Sequence, residues 1–290
     1  MTTEPTLLLD GLCFAEGPRW HDGRLWFSDM HGGEVIAVDL DGRRETIARV
    51  PNSPSGIGFA ADGTPIVVSM VDRRLMRIGP AGPEPFADLS EIATARCNDM
   101  VVDGRGNAYV GNFGFDMFEG AEPALARLAL VTPDGSARAV AEDLFFPNGT
   151  VVTPDGSTLI IGETYARRLT AFSIADDGSL EDRRVWAPLS VPPDGICLDA
   201  EGCIWVANPL NPGGFVRVAE GGEIKDRIDL ADRGGYACML GGPERRTLFL
   251  LEGFSSRPKD GRPGNSRIRM VEVDVPGAGW PGNPVGTQLM

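Results

Sequence analysis

Six times along the chain a short apolar run, a tight turn built on Gly, Asp or Glu, and a second apolar run recur. The units are EGPRWHDGRLWFSD from Glu16, SGIGFAADGTPIVVSM from Ser55, NDMVVDGRGNAYVGN from Asn98, NGTVVTPDGSTLIIGE from Asn148, DGICLDAEGCIWVAN from Asp194 and the less regular YACMLGGPERRTLFLLEG from Tyr236. Successive turns fall roughly 40 to 50 residues apart, the period of one propeller blade. Short runs rich in Val, Ile, Leu, Phe and Trp flank each turn and read as strands. A further strand candidate follows in every unit: EVIAVDL, RLMRIGP, LARLALV, RLTAFSI, FVRVAEG and RIRMVEV.

No segment holds a helical period for long, and DLSEIATA (88–95) offers at most a turn or two. A β-sandwich seldom carries sixfold similarity, and solenoid coils are usually shorter. The pattern predicts an all-β, six-bladed β-propeller with a central channel, one domain over 1–290. Its Pro/Gly-rich tail (276–290) is expected to hang loose or to latch onto blade one. Trp20, Trp26, Trp186 and Trp205 are expected between blades.

Composition narrows the partners. Forty-one acidic residues against 27 Lys and Arg leave a formal charge of −14, which opposes binding to nucleic acid or an anionic membrane. The five cysteines form no CxxC pair and read as reduced thiols at buried strand positions. Neither a signal peptide nor a run long enough to span a bilayer is visible, so a cytoplasmic protein is expected.

Closing the repeats into a ring gives their phase a chemical meaning. Glu16, Ser55, Asn98, Asn148, Asp194 and the neighbourhood of Tyr236 all begin the innermost strand of a blade and should converge at one channel mouth. The carboxylates of Glu16 and Asp194 and the amide of Asn148 repel or strain one another there unless a cation lies between them. Oxygen donors without thiolate or imidazole favour Ca²⁺, Mg²⁺ or Mn²⁺. The expected cofactor is one divalent cation, Ca²⁺ first, with Mg²⁺, Mn²⁺, Zn²⁺ or Fe²⁺ as alternatives. Glu163 and Glu252, which end second strands, are expected to be satisfied in the core rather than to bind a second cation.

Five segments in order, AEGPRW, RCNDMVVDGRGNAYVGN, PNGTVVTPDGSTL, PDGICLDAEGCIWVA and LGGPERRTLFLLE, resemble the SMP-30/gluconolactonase/luciferin-regenerating-enzyme family over roughly residues 8 to 275. The resemblance implies a six-bladed propeller with a divalent cation in its channel, and lactonase activity. It places the metal ligands on Glu16, Asn148 and Asp194, the general base on Asp194, and the substrate-contacting arginine and asparagine on Arg96 and Asn98. The substrate expected is a small-molecule lactone.

The segment NFGFDMFEGAE departs from that pattern, because Phe113, Phe115, Met117 and Phe118 offer nothing to match sugar hydroxyls. A more apolar or aryl-bearing lactone fits it. His21, in an HDG turn read as exposed, and His31 make no convincing counterpart to the histidine dyad of paraoxonase-like propellers. Two other functions use the same residues: a non-catalytic propeller pinned by its cation, and a hydrolase of related esters or phosphotriesters. The oligomeric state is left open by the sequence.

Overall fold

The computed structural model describes residues 4–279. Its strands form six antiparallel four-stranded sheets, each built mainly from neighbours in sequence. The innermost strands are Ala15–His21, Pro54–Phe59, Cys97–Val102, Pro147–Val152, Ile196–Leu198 and Gly234–Gly241, in blades one to six. Each packs against the innermost strand on either side, and blade six meets blade one, so the ring is closed. The sixfold repeat is therefore a six-bladed β-propeller, and every third-strand candidate occupies the third strand of its blade.

Turn chemistry explains the regularity. In blade one Asp22 and Gly23 both take positive φ (48° and 72°), the type I′ geometry that matches the twist of paired strands. Blade six is completed from the other end of the chain. Thr6–Leu12 pairs with Ser266–Glu272, from Thr6 opposite Met270 to Leu12 opposite Ser266. That closing strand was not foreseen, because its single short run carries no repeat signature.

Adjacent innermost strands approach closely near the channel mouth. A Cβ on Gly149 would lie 2.5 Å from the backbone nitrogen of Ile196, and one on Gly195 would lie 2.7 Å from Ala237 Cα. This is the physical reason that the repeats begin Glu-Gly, Ser-Gly, Asn-Gly and Asp-Gly.

The core lies between blades. Trp20 stacks on Phe249 of blade six at 5.5 Å, and Trp26 meets Phe59 of blade two edge-on at 5.3 Å. Trp205 is buried in a cluster spanning blades five, six and one, and Trp186 in one spanning blades four and five. Each buried aromatic contributes roughly 2–3 kcal/mol. His21 belongs to this packing, stacked on Phe59 at 3.7 Å. It is not an exposed turn residue, since the turn proper is Asp22–Gly23.

Among the described residues the only helical element is the 3₁₀ turn Pro258–Asp260. The 88–95 segment makes a single turn closed by Ala93 N donating to Leu89 O at 2.8 Å. No helix among the described residues is long and apolar enough to cross a membrane.

The start of the C-terminal tail lies on blades five and six rather than blade one. Ala278 N donates to Leu198 O at 3.0 Å and Gly277 N to Arg245 O at 2.7 Å. The rest of the tail, 280–290, lies outside the described residues.

Candidate functional site

At the channel mouth a cavity of about 200 Å³ is lined by Glu16, Asn98, Asn148 and Asp194 from blades one, three, four and five. Three of these are second residues of their innermost strands, and Asp194 stands two before the start of its own. Ser55 is buried but contributes no lining; its carbonyl accepts a hydrogen bond from Ser28 Oγ at 2.6 Å.

Hydrogen bonds hold the amide of Asn148 in one orientation. Thr164 Oγ1 donates to Pro193 O at 2.7 Å, so towards Asn148 Nδ2, 3.2 Å away, it accepts. Asn148 Oδ1 in turn accepts from Asn98 Nδ2 at 3.1 Å. The Asn148 amide also donates to the Asp194 carboxylate.

Negative charge accumulates here. Burial pushes the Asp194 carboxyl up to about 8, and the nearby charge of Asp99 adds to the effect. Glu16 is raised well above the ordinary carboxylate range, first by burial and then by Asp194 and Asp99. Both keep some surface open to the cavity, although they lie deep among protein atoms. Asp99 itself is raised by burial and lowered by Arg19, whose Nη2 is 3.4 Å from its Oδ1.

Sequence reading missed Asp99 and Arg19. The signal was there: Asp99 stands where blades one, two, four and five carry glycine.

This donor set fits a divalent cation. Two crowded carboxylates and an oriented carboxamide line one cavity, and the nearby Arg19 guanidinium is engaged by Asp99. Among the described residues no group of three or more His, Cys, Asp or Glu side chains gathers as a metal cluster. The candidate set has two carboxylates, and an amide oxygen is its third donor.

Most of the rest of the cavity is aromatic and apolar, with Thr164 and Ser256 as its other polar side chains. Phe113, Met117, Phe118, Phe146 and Tyr165 line it from blades three and four, and Phe14, Met30 and Tyr236 from blades one and six. Of these, Phe14, Met30, Phe146 and Tyr165 were not foreseen. Phe14 and Phe146, like Arg96, stand two residues before the ring position of their blade, a periodicity readable in the sequence. Phe115 lies behind the wall against Tyr165, 5.5 Å away. Arg96 is half-buried with its guanidinium 5.1 Å from the Phe118 ring centre. It does not itself line the cavity.

His31 Nε2 donates to Ser256 O, 3.0 Å away, and the ring stacks on Phe14 at 5.3 Å; burial lowers its pKa. Glu163 and Glu252 do not reach the cavity. Glu163 is bound by Arg168 at 2.8 Å and Thr170 at 2.5 Å, and Glu252 by Arg267 at 2.9 Å and Arg269 at 2.6 Å.

Residues 14–252 match the family model described as the SMP-30/Gluconolactonase/LRE-like region. The chain is 24% identical over 277 residues to a 6-deoxy-6-sulfogluconolactonase of Pseudomonas putida, covering 92% of this chain and 93% of the relative. A luciferin-regenerating enzyme superposes with TM-score 0.78 at 19% identity, over 94% of this chain and 97% of that one. A calcium-binding regucalcin from Agrobacterium tumefaciens gives TM-score 0.77 at 21% identity, over 95% of each chain.

Proposed function

The chain belongs to the SMP-30/gluconolactonase/LRE-like family, and from that premise we propose that it is a metal-dependent lactonase. The observation that carries this reading is the meeting of Glu16, Asn148 and Asp194 in one cavity, with the buried Arg19 already committed to Asp99. The lactonase named among its relatives points to a cyclic ester. The calcium-binding relative favours Ca²⁺, and hard oxygen donors also suit Mg²⁺ or Mn²⁺.

Glu16, Asn148 and Asp194 would hold the ion. Bound there, a divalent cation supplies Lewis-acid polarisation of the ester carbonyl and stabilises the developing oxyanion. Asp194 takes a proton on its carboxylate from the attacking water as general base. Asn98 uses one amide hydrogen on Asn148 and keeps the other for the substrate. Arg96, over Phe118, supplies positive charge and a planar fork to the polar end of the lactone. A cytoplasmic location suits five cysteines that are all free.

PH-indicator assays of a lactone panel, with each divalent ion added to metal-free protein, test the proposal. Turnover should require the ion. Asp194→Asn should fold and lose turnover by orders of magnitude; an unimpaired Asp194→Asn enzyme overturns the base assignment.

A further inference from the structure

We infer that the lactone this site accepts carries a flat aromatic ring, held between two opposed aromatic walls; the inference rests on the lactonase reading of the same cavity. In a six-membered ring blade one stands opposite blade four, and blade six opposite blade three. The aromatic lining is divided along that axis. On one side Phe113 stacks on Phe146 at 4.6 Å, with Tyr165 5.3 Å from Phe146. On the other, Phe14 and Tyr236 meet edge-on at 4.7 Å. The oxygen donors of Glu16, Asn98, Asn148 and Asp194 border the same space, so one ligand meets a polar pole and an apolar slot together.

Beyond the four oxygen donors, the lining offers a polyhydroxylated ring few partners: Thr164, Tyr165, and Tyr236 with Ser256, which are hydrogen-bonded to each other. Thr164 Oγ1 already donates to Pro193 O and accepts from Asn148. Each hydroxyl buried against these rings without a partner would cost about 1–3 kcal/mol. A flat ring gains offset-stacked or edge-on contacts worth about 0.5–1.5 kcal/mol each. The volume of about 200 Å³ is below the roughly 300–1,000 Å³ of drug-sized sites and suits a small ligand such as a bicyclic lactone. A lactone fused to one benzene ring has the required size, flatness and single polar edge.

Its hydrolysis balances simply. The water oxygen bonds to the acyl carbon and the ring C–O bond breaks. The released phenolic oxygen takes a proton, and the product acid gives one up to solution.

The test compares dihydrocoumarin with glucono-δ-lactone, two six-membered lactones differing in benzo fusion against hydroxylation, on protein saturated with Ca²⁺ or Mn²⁺. Binding of the unreactive lactam 3,4-dihydro-2-quinolinone, followed by calorimetry, reads the slot without chemistry. The inference expects kcat/KM at least tenfold higher for dihydrocoumarin, and micromolar to low-millimolar lactam binding. Phe118→Ala, at a partly exposed position, should cut the dihydrocoumarin value about tenfold and the glucono-δ-lactone value by a clearly smaller factor, since the Arg96 guanidinium resting on Phe118 serves both substrates. Phe146→Leu, which keeps an apolar side chain in the wall, should act in the same direction.

Faster glucono-δ-lactone turnover, or equal losses on both substrates in both variants, overturns the aromatic slot. Lactone turnover without lactam binding or aryl preference overturns it and leaves the lactonase reading standing. Lactam binding lost in Phe118→Ala, with no lactone turned over, supports the slot and sinks the lactonase reading.

Discussion

Arg19 Nη2 lies 3.4 Å from Asp99 Oδ1, a buried ion pair that passes over blade two to join blades one and three. Gly56 of blade two makes room for it, since a Cβ there would lie 2.9 Å from Asp99 Oδ1. Arg19 also donates to Pro18 O at 2.7 Å and to the carbonyl of Met100. Its charge is spent on Asp99, so Glu16 and Asp194 are left to another cation.

Removing that guanidinium should expose the imbalance. Arg19→Gln leaves Asp99 buried beside two further carboxylates, and breaking a buried pair costs about 3–5 kcal/mol. Adding Asp99→Asn should recover at least half of the loss, because the orphaned charge goes too. Urea unfolding of the two single variants and the double variant measures the coupling; additive losses would show that the pair is energetically independent.

Ion binding to the native site alone should stabilise the fold. At a free concentration one hundred times Kd the gain is about 2.7 kcal/mol, or roughly 5–10 °C in Tm for a chain of this size. Chelation should remove that increment and Ca²⁺ should restore it. Glu16→Gln and Asn148→Leu should melt alike with and without the ion. A full ion-dependent shift in Asn148→Leu would remove that residue from the ligand set.

The ring of blades was legible because its period and its turns are local properties of the chain. The phase of Glu16, Asn98, Asn148 and Asp194 was legible for the same reason, as each opens a repeat. What was lost depended on relations across blades. Asp99 breaks the glycine pattern, but only the approach of Arg19 from two blades away shows what its carboxylate meets. Phe14 and Tyr236 form one wall though 222 residues of sequence separate them. The closing strand Thr6–Leu12 has no turn linking it to its partner Ser266–Glu272, so no local signal announced the pairing. His21 read as exposed because its neighbours in sequence are turn residues; Phe59 of the next blade covers it.

Acid should weaken the fold through Glu163. Its side chain is fully buried; burial raises its carboxyl, but hydrogen bonds from Arg168, Thr170 and the Phe145 N–H outweigh this and hold it below 4.5. A folded value below the unfolded one gives stability that is complete above about pH 4.5. It is lost as pH falls further, through the folded value. Glu163→Gln should cost about 1–3 kcal/mol at pH 7 and flatten the decline in unfolding free energy below pH 4.5. Denaturant melts at pH 7, 4.5 and 3.5 measure both effects; an unchanged acid slope would assign the decline to other carboxylates.

Thr164 acts on the site through Asn148. Its hydroxyl donates to Pro193 O and accepts from Asn148 Nδ2, which turns the amide oxygen away from the threonine and towards Asn98. Valine keeps the branched shape and removes both hydrogen bonds, so the Asn148 amide loses one of the contacts that fix its orientation. Groups that orient a metal-binding side chain are typically worth 10–100-fold in affinity. Thr164→Val should therefore weaken Ca²⁺ binding about tenfold or more in calorimetry, and Thr164→Ser, which keeps the hydroxyl, should restore most of it. A purely structural role would instead lower the unfolding free energy of the metal-free protein in Thr164→Val without changing the Kd for Ca²⁺.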